Sequence, residues 1–173
     1  MGIPSDKGGG RCKPPAELLS KHCHSLTTLL VFGGQAVDRR AVAFSFHRAS
    51  RHKEGPFVAL DCRREESRLR SALEAVLNNT APDPGPDPVR ASWCGTLFLD
   101  NVASLSNGTQ RLLLWFARRT LGGSVAPEGA LPVRLATGSP EPLGAASPTT
   151  FIPELFDEID KISIGLDVAV GAA

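Results

Sequence analysis

Net charge is nearly absent from this chain. Nineteen Lys and Arg against eighteen Asp and Glu leave +1 over 173 residues, so no global field draws it to nucleic acid or to an anionic membrane. No apolar run is long enough for a transmembrane helix. No apolar signal core follows Met1-Gly2-Ile3-Pro4-Ser5-Asp6-Lys7, which argues against secretion and for a cytoplasmic protein. Gly2 and Ser5 match a myristoylation start imperfectly, and no lipid anchor is read from them. Cysteine is scarce and irregularly spaced, at Cys12, Cys23, Cys62 and Cys94. Without an export signal these read as reduced thiols rather than a disulfide framework, and the Asn-x-Thr sequons at Asn78 and Asn107 carry no meaning. No internal repeat is visible. No G-x-S-x-G elbow occurs, so a Ser/His/Asp hydrolase is not supported.

What is present is enough apolar sequence for one domain with a sizeable core. Residues 1–15 are rich in Gly, Pro and Lys and read as disordered. A short helix is expected over Ala16–Cys23, so residues 1–25 form a flexible N-terminal segment. Apolar Leu26–Phe32, closed by Gly33-Gly34, predicts a strand. Arg39–Ser50 predicts a helix with Val42, Ala43 and Phe46 on one face. Further strands are expected at Phe57–Leu60, Thr96–Leu99 and Val133–Ala136, with an edge strand over Lys161–Leu166. Helices are expected over Glu65–Leu77, Asn107–Arg119 and Phe151–Ile159, with Leu112, Leu113, Trp115 and Phe116 facing inward in the second. The prolines of Asn79–Pro88 predict an exposed loop. Residues 167–173 read as a frayed tail. Strands alternating with helices give an α/β fold, a three-layer α/β/α sandwich on a mostly parallel sheet, over residues 26–166.

Two segments bear on chemistry. In Gly95-Thr96-Leu97-Phe98-Leu99-Asp100-Asn101 an apolar strand ends on a carboxylate, the position at which nucleotide-hydrolysing α/β proteins hold magnesium. A carboxylate there also serves as a helix cap or faces solvent. In Gly33-Gly34-Gln35-Ala36-Val37-Asp38-Arg39 a glycine turn leads from a strand into a helix. A phosphate loop needs glycines that let backbone N–H groups approach the phosphates, and a Lys to neutralise them. Val37 resists such a loop, and Asp38 places negative charge beside the phosphates. Arg39 keeps the positive charge, but a planar fork is not a compact ammonium.

Four blocks in order carry a family resemblance. They are Leu29–Ser50 (LLVFGGQAVDRRAVAFSFHRAS), Gly55–Cys62 (GPFVALDC), Gly95–Asn101 with Gln110, Leu112 and Leu113, and Val133–Leu166. Together they resemble the central AAA+ domain of sigma-54-dependent, NtrC-type bacterial transcription activators, in a truncated and degenerate form. The resemblance implies the P-loop-like α/β core without its helical lid. It places Gly33 at the first loop glycine, Ala36-Val37-Asp38 at the family's Gly-Thr-Gly, and Arg39 at its Lys. Asp100 falls at the magnesium-side carboxylate and Asn101 at the Glu that polarises water. Asn is a poor base, so hydrolysis suffers even where ATP binds. Pro140 falls at the sensor Asn, with Ser139 one residue away. Ile152 and Glu158 replace the arginines that reach a neighbouring subunit, and Glu158 would repel phosphate. The proline loop stands where the family's G-A-F-T-G-A loop touches sigma-54.

The implied reading is a pseudo-ATPase with no catalytic residue. Gly33, Gly34, Arg39 and Asp100 are its degenerate nucleotide-site positions. No cofactor or metal is expected, ATP with magnesium being the one alternative. The implied partner is a protein, an AAA+ activator or another transcription or signalling component. No DNA-binding helix-turn-helix and no membrane segment is expected. Residual ATP binding through Arg39 and Asp100, and a remnant without a role, are the competing readings.

Cys12, His22, Cys23 and His24 do not match a zinc finger or knuckle, and Cys23 and Cys62 read as small buried hydrophobes. Basic residues cluster at Arg39, Arg40, His47, Arg48, Arg51, His52 and Lys53, and again at Arg63, Arg64, Arg68 and Arg70. A nucleic-acid patch there lacks interleaved stacking aromatics on this reading.

Overall fold

The run Leu29-Leu30-Val31 sets the pattern of the whole sheet. In strand β1 (Leu29–Gly33), Leu29 and Val31 enter one hydrophobic cluster and Leu30 the other, as the two-residue period of a strand requires. Strand β3 (Gly95–Asp100) repeats this, with Leu97 and Leu99 on the side of Leu30 and Phe98 on the side of Val31. A strand buried on both faces belongs inside a covered parallel sheet. The computed structural model describes residues 27–81, 83–125, 130–144 and 151–166.

The sheet runs in the order β2 (Phe57–Asp61), β3, β5 (Leu131–Ser139), β1, β6 (Ile162–Leu166), and every pairing is parallel. A two-residue strand, β4 (Thr120–Leu121), joins β5 off this path. Helix α1 (Ala36–Ala49) covers one face through Val42, Ala43 and Phe46. Helices α2 (Cys62–Leu77), α4 (Asn107–Arg119) and α5 (Pro153–Ile159) cover the other. The result is a three-layer α/β/α sandwich. Because α1 leaves β1 toward one face while the connections after β3 and β5 run over the other, a crevice opens at the carboxyl ends of β1 and β5. In open α/β sheets this switch point is where ligands bind.

Several elements differ from the sequence expectation. Helix α1 starts at Ala36, not Arg39, because Gln35 takes the cap position and its carbonyl accepts from Asp38 N and Arg39 N. Pro88, the last residue of the expected loop, opens a short helix, α3 (Pro88–Ala91). Proline suits the first turn of a helix, and Asp87 Oδ1 accepts from Val89 N and Arg90 N at 3.0 Å each. Strand β1 starts at Leu29 rather than Leu26, and β5 extends to both sides of Val133–Ala136. In α4, Leu113 and Phe116 are buried, while Leu112 and Trp115 pack half-buried at its edge. The expected helix over Ala16–Cys23, the cluster of Cys12, His22, Cys23 and His24, and the tail 167–173 lie outside the described residues. No helix among the described residues is long and apolar enough to cross a membrane.

The amino-terminal edge of the sheet holds two buried basic side chains. Arg134 is sealed against the end of α1, donating to Phe46 O at 3.3 Å and Thr27 O at 3.1 Å, with its guanidinium 5.5 Å from the Phe46 ring centre. Burial brings it down to about 10, so it stays charged and favours the carbonyl end of the helix. His47 is buried with Nδ1 3.0 Å from Thr96 Oγ1. Burial lowers its pKa from the ordinary 6.5, with Arg134, Arg48 and His52 adding repulsion. The unfolded chain therefore binds a proton at a pH where the folded chain does not, and stability rises with pH across that window. We expect stability to fall as pH drops below about 6.5. Urea midpoints at pH 5.5 and 7.5 check this, and the His47→Gln variant should show a flatter dependence.

Candidate functional site

The crevice is filled by one side chain. Arg39, on the first turns of α1, reaches back across the carboxyl ends of β1 and β3. Its Nε donates to Asp100 Oδ1 at 2.7 Å and its Nη2 to Asp100 Oδ2 at 3.0 Å. Its Nη1 donates to the carbonyls of Gly33 at 3.1 Å and Gly34 at 2.9 Å. This is a bidentate fork, the strongest geometry available to an arginine and a carboxylate. Arg39 is 3 % exposed and Asp100 6 %. The structure thus brings together all four positions singled out in the sequence, Gly33, Gly34, Arg39 and Asp100. It also corrects the reading of Asp100 as a helix cap or solvent-facing group. The carboxylate is held inside, on the guanidinium.

Two glycines at this end of the sheet have no space for a side chain, one against the adjoining strand and one against the pair. Gly33 has φ +83°, and a Cβ there would collide with the Leu166 carbonyl of the adjoining β6. Gly138, on β5, lies against Asp100, and a Cβ there would collide with Asp100 Oδ1.

The glycine turn itself is short. Only Gly34 and Gln35 separate the end of β1 from the start of α1. Ala36, Val37 and Asp38 are helical, and Val37 is 68 % exposed rather than part of a loop. The Asp38 carboxylate turns back to accept from Gln35 N at 3.2 Å. An acidic side chain in the first turn favours the helix dipole, and here it places an anion of the chain's own at the helix start.

Beside the pair runs a cleft of about 370 Å³ whose wall includes Val37, Arg40, Asp61, Glu65, Phe98 and Asp100. Asp61 and Glu65 were not singled out in the sequence. Asp61 pairs in register with Asp100, caps α2 by accepting from Arg63 N at 3.0 Å, and accepts from Asn101 Nδ2 at 2.8 Å. Glu65 accepts from Asp61 N at 3.2 Å and from Arg68 at 2.9 Å. The signal that points to Asp61 is the block Gly55–Cys62, where Asp61 stands at an Asn of the family pattern. Cys62, beneath them, is buried, and its thiol pKa is pushed far up by burial and by Asp61 and Asp100. It is therefore no nucleophile.

The remaining expected positions serve the fold. Asn101 sits at φ +56°, the left-handed region that Asn tolerates better than most residues, with its amide on Asp61. Ser139 is buried and its hydroxyl donates to the Glu141 carbonyl at 2.6 Å, closing the turn after β5. Glu158 does not face the crevice. It is buried near the amino-terminal edge of the sheet, its carboxylate accepts from Ser124 N at 2.8 Å and Ser124 Oγ at 2.7 Å, and its carbonyl accepts from Thr28 Oγ1. It therefore cannot repel a phosphate at the other end of the strands. Among the described residues no group of three or more His, Cys, Asp and Glu is placed to hold a metal ion.

Comparison with known proteins agrees with this architecture. The profile of the sigma-54 interaction domain matches residues 11–165. The acetoin catabolism regulatory protein of Cupriavidus necator is 35 % identical over 115 residues, covering 62 % of this chain and 17 % of its own length. The chain therefore spans under a fifth of that relative. NtrX from Brucella abortus in complex with ATP superposes with a TM-score of 0.67 at 18 % identity, covering 88 % of this chain and 34 % of that one. The P-loop NTPase domain of a sigma-54 activator from E. coli gives 0.60 at 20 % identity, with 87 % and 98 % covered. At these identities the superpositions speak for the fold alone.

Proposed function

The chain belongs to the sigma-54 interaction domain family, and from that premise we propose that it is a non-catalytic member, acting in bacterial transcription control or signalling through protein contacts. The observation that carries this reading is the Arg39 fork on Asp100. Both carboxylate oxygens that would face magnesium are engaged by a guanidinium. The residues that would cradle phosphate are helical, and Asp38 already satisfies the Gln35 N–H. Asp61 and Glu65 line the adjoining cleft with further negative charge. The crevice supplies its own cation and its own anion, and its residues do not fit a magnesium nucleotide. Asn101 is committed to Asp61 rather than to a water. The partner is a protein, an AAA+ activator or another component of the same control system.

Phosphate release from ATP tests the catalytic half. Release should equal that of buffer in the wild-type chain and in Asp100→Ala. Magnesium-dependent release that Asp100→Ala abolishes would contradict it. The contact half is tested by sedimentation with the P-loop NTPase domain of the sigma-54 activator from E. coli. A mixed species or a changed ATPase rate of that domain is expected, and neither being seen speaks against the contact reading.

A further inference from the structure

Helix α1 presents an outer face that nothing in the closed crevice uses. Arg40, Phe44 and Arg48 are all exposed and lie four residues apart, so they line up along one side of the helix over roughly 12 Å. Arg51 and Lys53 continue the line beyond the helix end, both exposed. Phe44 is 43 % exposed, although nearly every other large apolar side chain nearby is covered.

The Phe44 ring is also held in place. Phe57 meets it edge-on at 5.2 Å, and Phe57 in turn stacks on buried Phe98 at 6.2 Å. His47 lies 6.1 Å away in a stacked orientation, and the Arg48 guanidinium stands 6.0 Å from the ring centre. An aromatic fixed from behind, with one guanidinium over its ring and 43 % of its surface exposed, offers an apolar surface beside a cation. That is the arrangement by which proteins take single-stranded nucleic acid, with arginines on phosphates and an aromatic under a base. Helical spacing turns Phe46 inward with Val42 and Ala43 and leaves Phe44 outward, so the expectation that the basic cluster lacks an interleaved aromatic is corrected by Phe44.

Charges facing the strip favour an anion over most of its length. Asp38, the one acidic residue of α1, is turned onto Gln35 N–H. On the facing strand, Phe57 and Ala59 are uncharged. Asp61 and Glu65 stand at the Arg40 end and Glu54 at the other, leaving Phe44, Arg48 and Arg51 as the centre of the strip. A duplex buries its base faces in the stack and cannot use Phe44, so charge and platform together select an unpaired strand.

We propose that the outer face of α1 binds single-stranded nucleic acid, Arg48 and Arg51 holding phosphates and Phe44 stacking a base. The test is fluorescence anisotropy of a labelled oligothymidylate of about 20 nucleotides against the full chain at about 50 mM salt, where phosphate binding is strong. Binding is expected, weakened on the order of tenfold by Phe44→Ala and kept by Phe44→Trp. Arg48→Glu should weaken it and flatten the dependence of log affinity on log salt by about 0.7 for each phosphate that is no longer neutralised. Circular dichroism confirms that each variant folds, and Phe44→Trp with Arg48→Glu carry the test if Phe44→Ala does not. Absence of binding overturns the proposal. So does binding that Phe44→Ala leaves unchanged in a folded chain, binding of duplex as tight as of the single strand, or displacement by polyglutamate as effective as by the oligonucleotide.

Discussion

Arg39→Ala should destabilise the fold by about 3–5 kcal/mol, the cost typical of removing one partner from a buried ion pair. The loss has two parts. The buried Asp100 carboxylate is stripped of both its donors. The carbonyls of Gly33 and Gly34 lose their donor at the same time. Asp100→Ala should cost a comparable amount, because it strands the guanidinium. The double variant should lose far less than the sum, since the two side chains act as a unit. Urea unfolding of the four proteins measures this. Additive losses would mean that the pair is not coupled as its geometry requires. Arg39→Lys should recover little, because an ammonium cannot span both carboxylate oxygens and both carbonyls.

Gly138→Ala should destabilise the fold by about 1–3 kcal/mol, the cost of forcing a methyl into filled space. Its added Cβ would press on Asp100 Oδ1 and approach the Phe98 ring. A carboxylate can usually swing away, but here Arg39 holds both oxygens. The substitution therefore acts by pushing Asp100 off its partner. In an Asp100→Ala background the same change should be nearly silent, leaving only the approach to Phe98. A full penalty in that background would place the strain elsewhere. The prediction joins a glycine on one strand to a charge pair between a second strand and a helix, so it probes the packing of the crevice as a whole.

The sheet and its covering helices are legible in the sequence because their signals are local and repeated. Leu29, Leu30 and Val31, or Leu97, Phe98 and Leu99, can only be strands buried on both faces. Leu69, Leu73, Leu113 and Phe116 recur at helical spacing. Asn107–Arg119 matches its expected bounds because Ser106 precedes it and Thr120 ends it. What is not legible depends on which groups meet across the chain. Pro88 looks like a loop residue until Asp87 caps the turn after it. Ala36-Val37-Asp38 reads as a spoiled loop, yet helix formation simply extends through it once Gln35 takes the cap position.

At the site, position alone names Gly33, Gly34, Arg39 and Asp100, and the structure does bring them together. Their mutual geometry is not readable from the chain. An arginine at a phosphate-loop lysine is as compatible with holding phosphate as with closing on a carboxylate, and only the distance to Asp100 separates the two. For Asp61 the block Gly55–Cys62 marks the position but not the role, which depends on Asn101 and on register with Asp100. Alignment places Glu158 at an arginine that reaches a neighbouring subunit and says nothing of where it lies in its own chain. Its place at the opposite end of the sheet follows from α5 running antiparallel to the strands, so that the end of the helix lies near Thr28 and Ser124.

A closed crevice has one direct consequence, the failure of the chain to take up nucleotide. Titration calorimetry with ATP and with ADP, with and without magnesium, on the full chain beside Arg39→Ala tests it most directly. The account predicts no saturable heat for the wild-type chain under any of these conditions. Magnesium-dependent saturable binding that Arg39→Ala removes would contradict it, because it would mean that Arg39 leaves Asp100 for phosphate and that the crevice is a working nucleotide site.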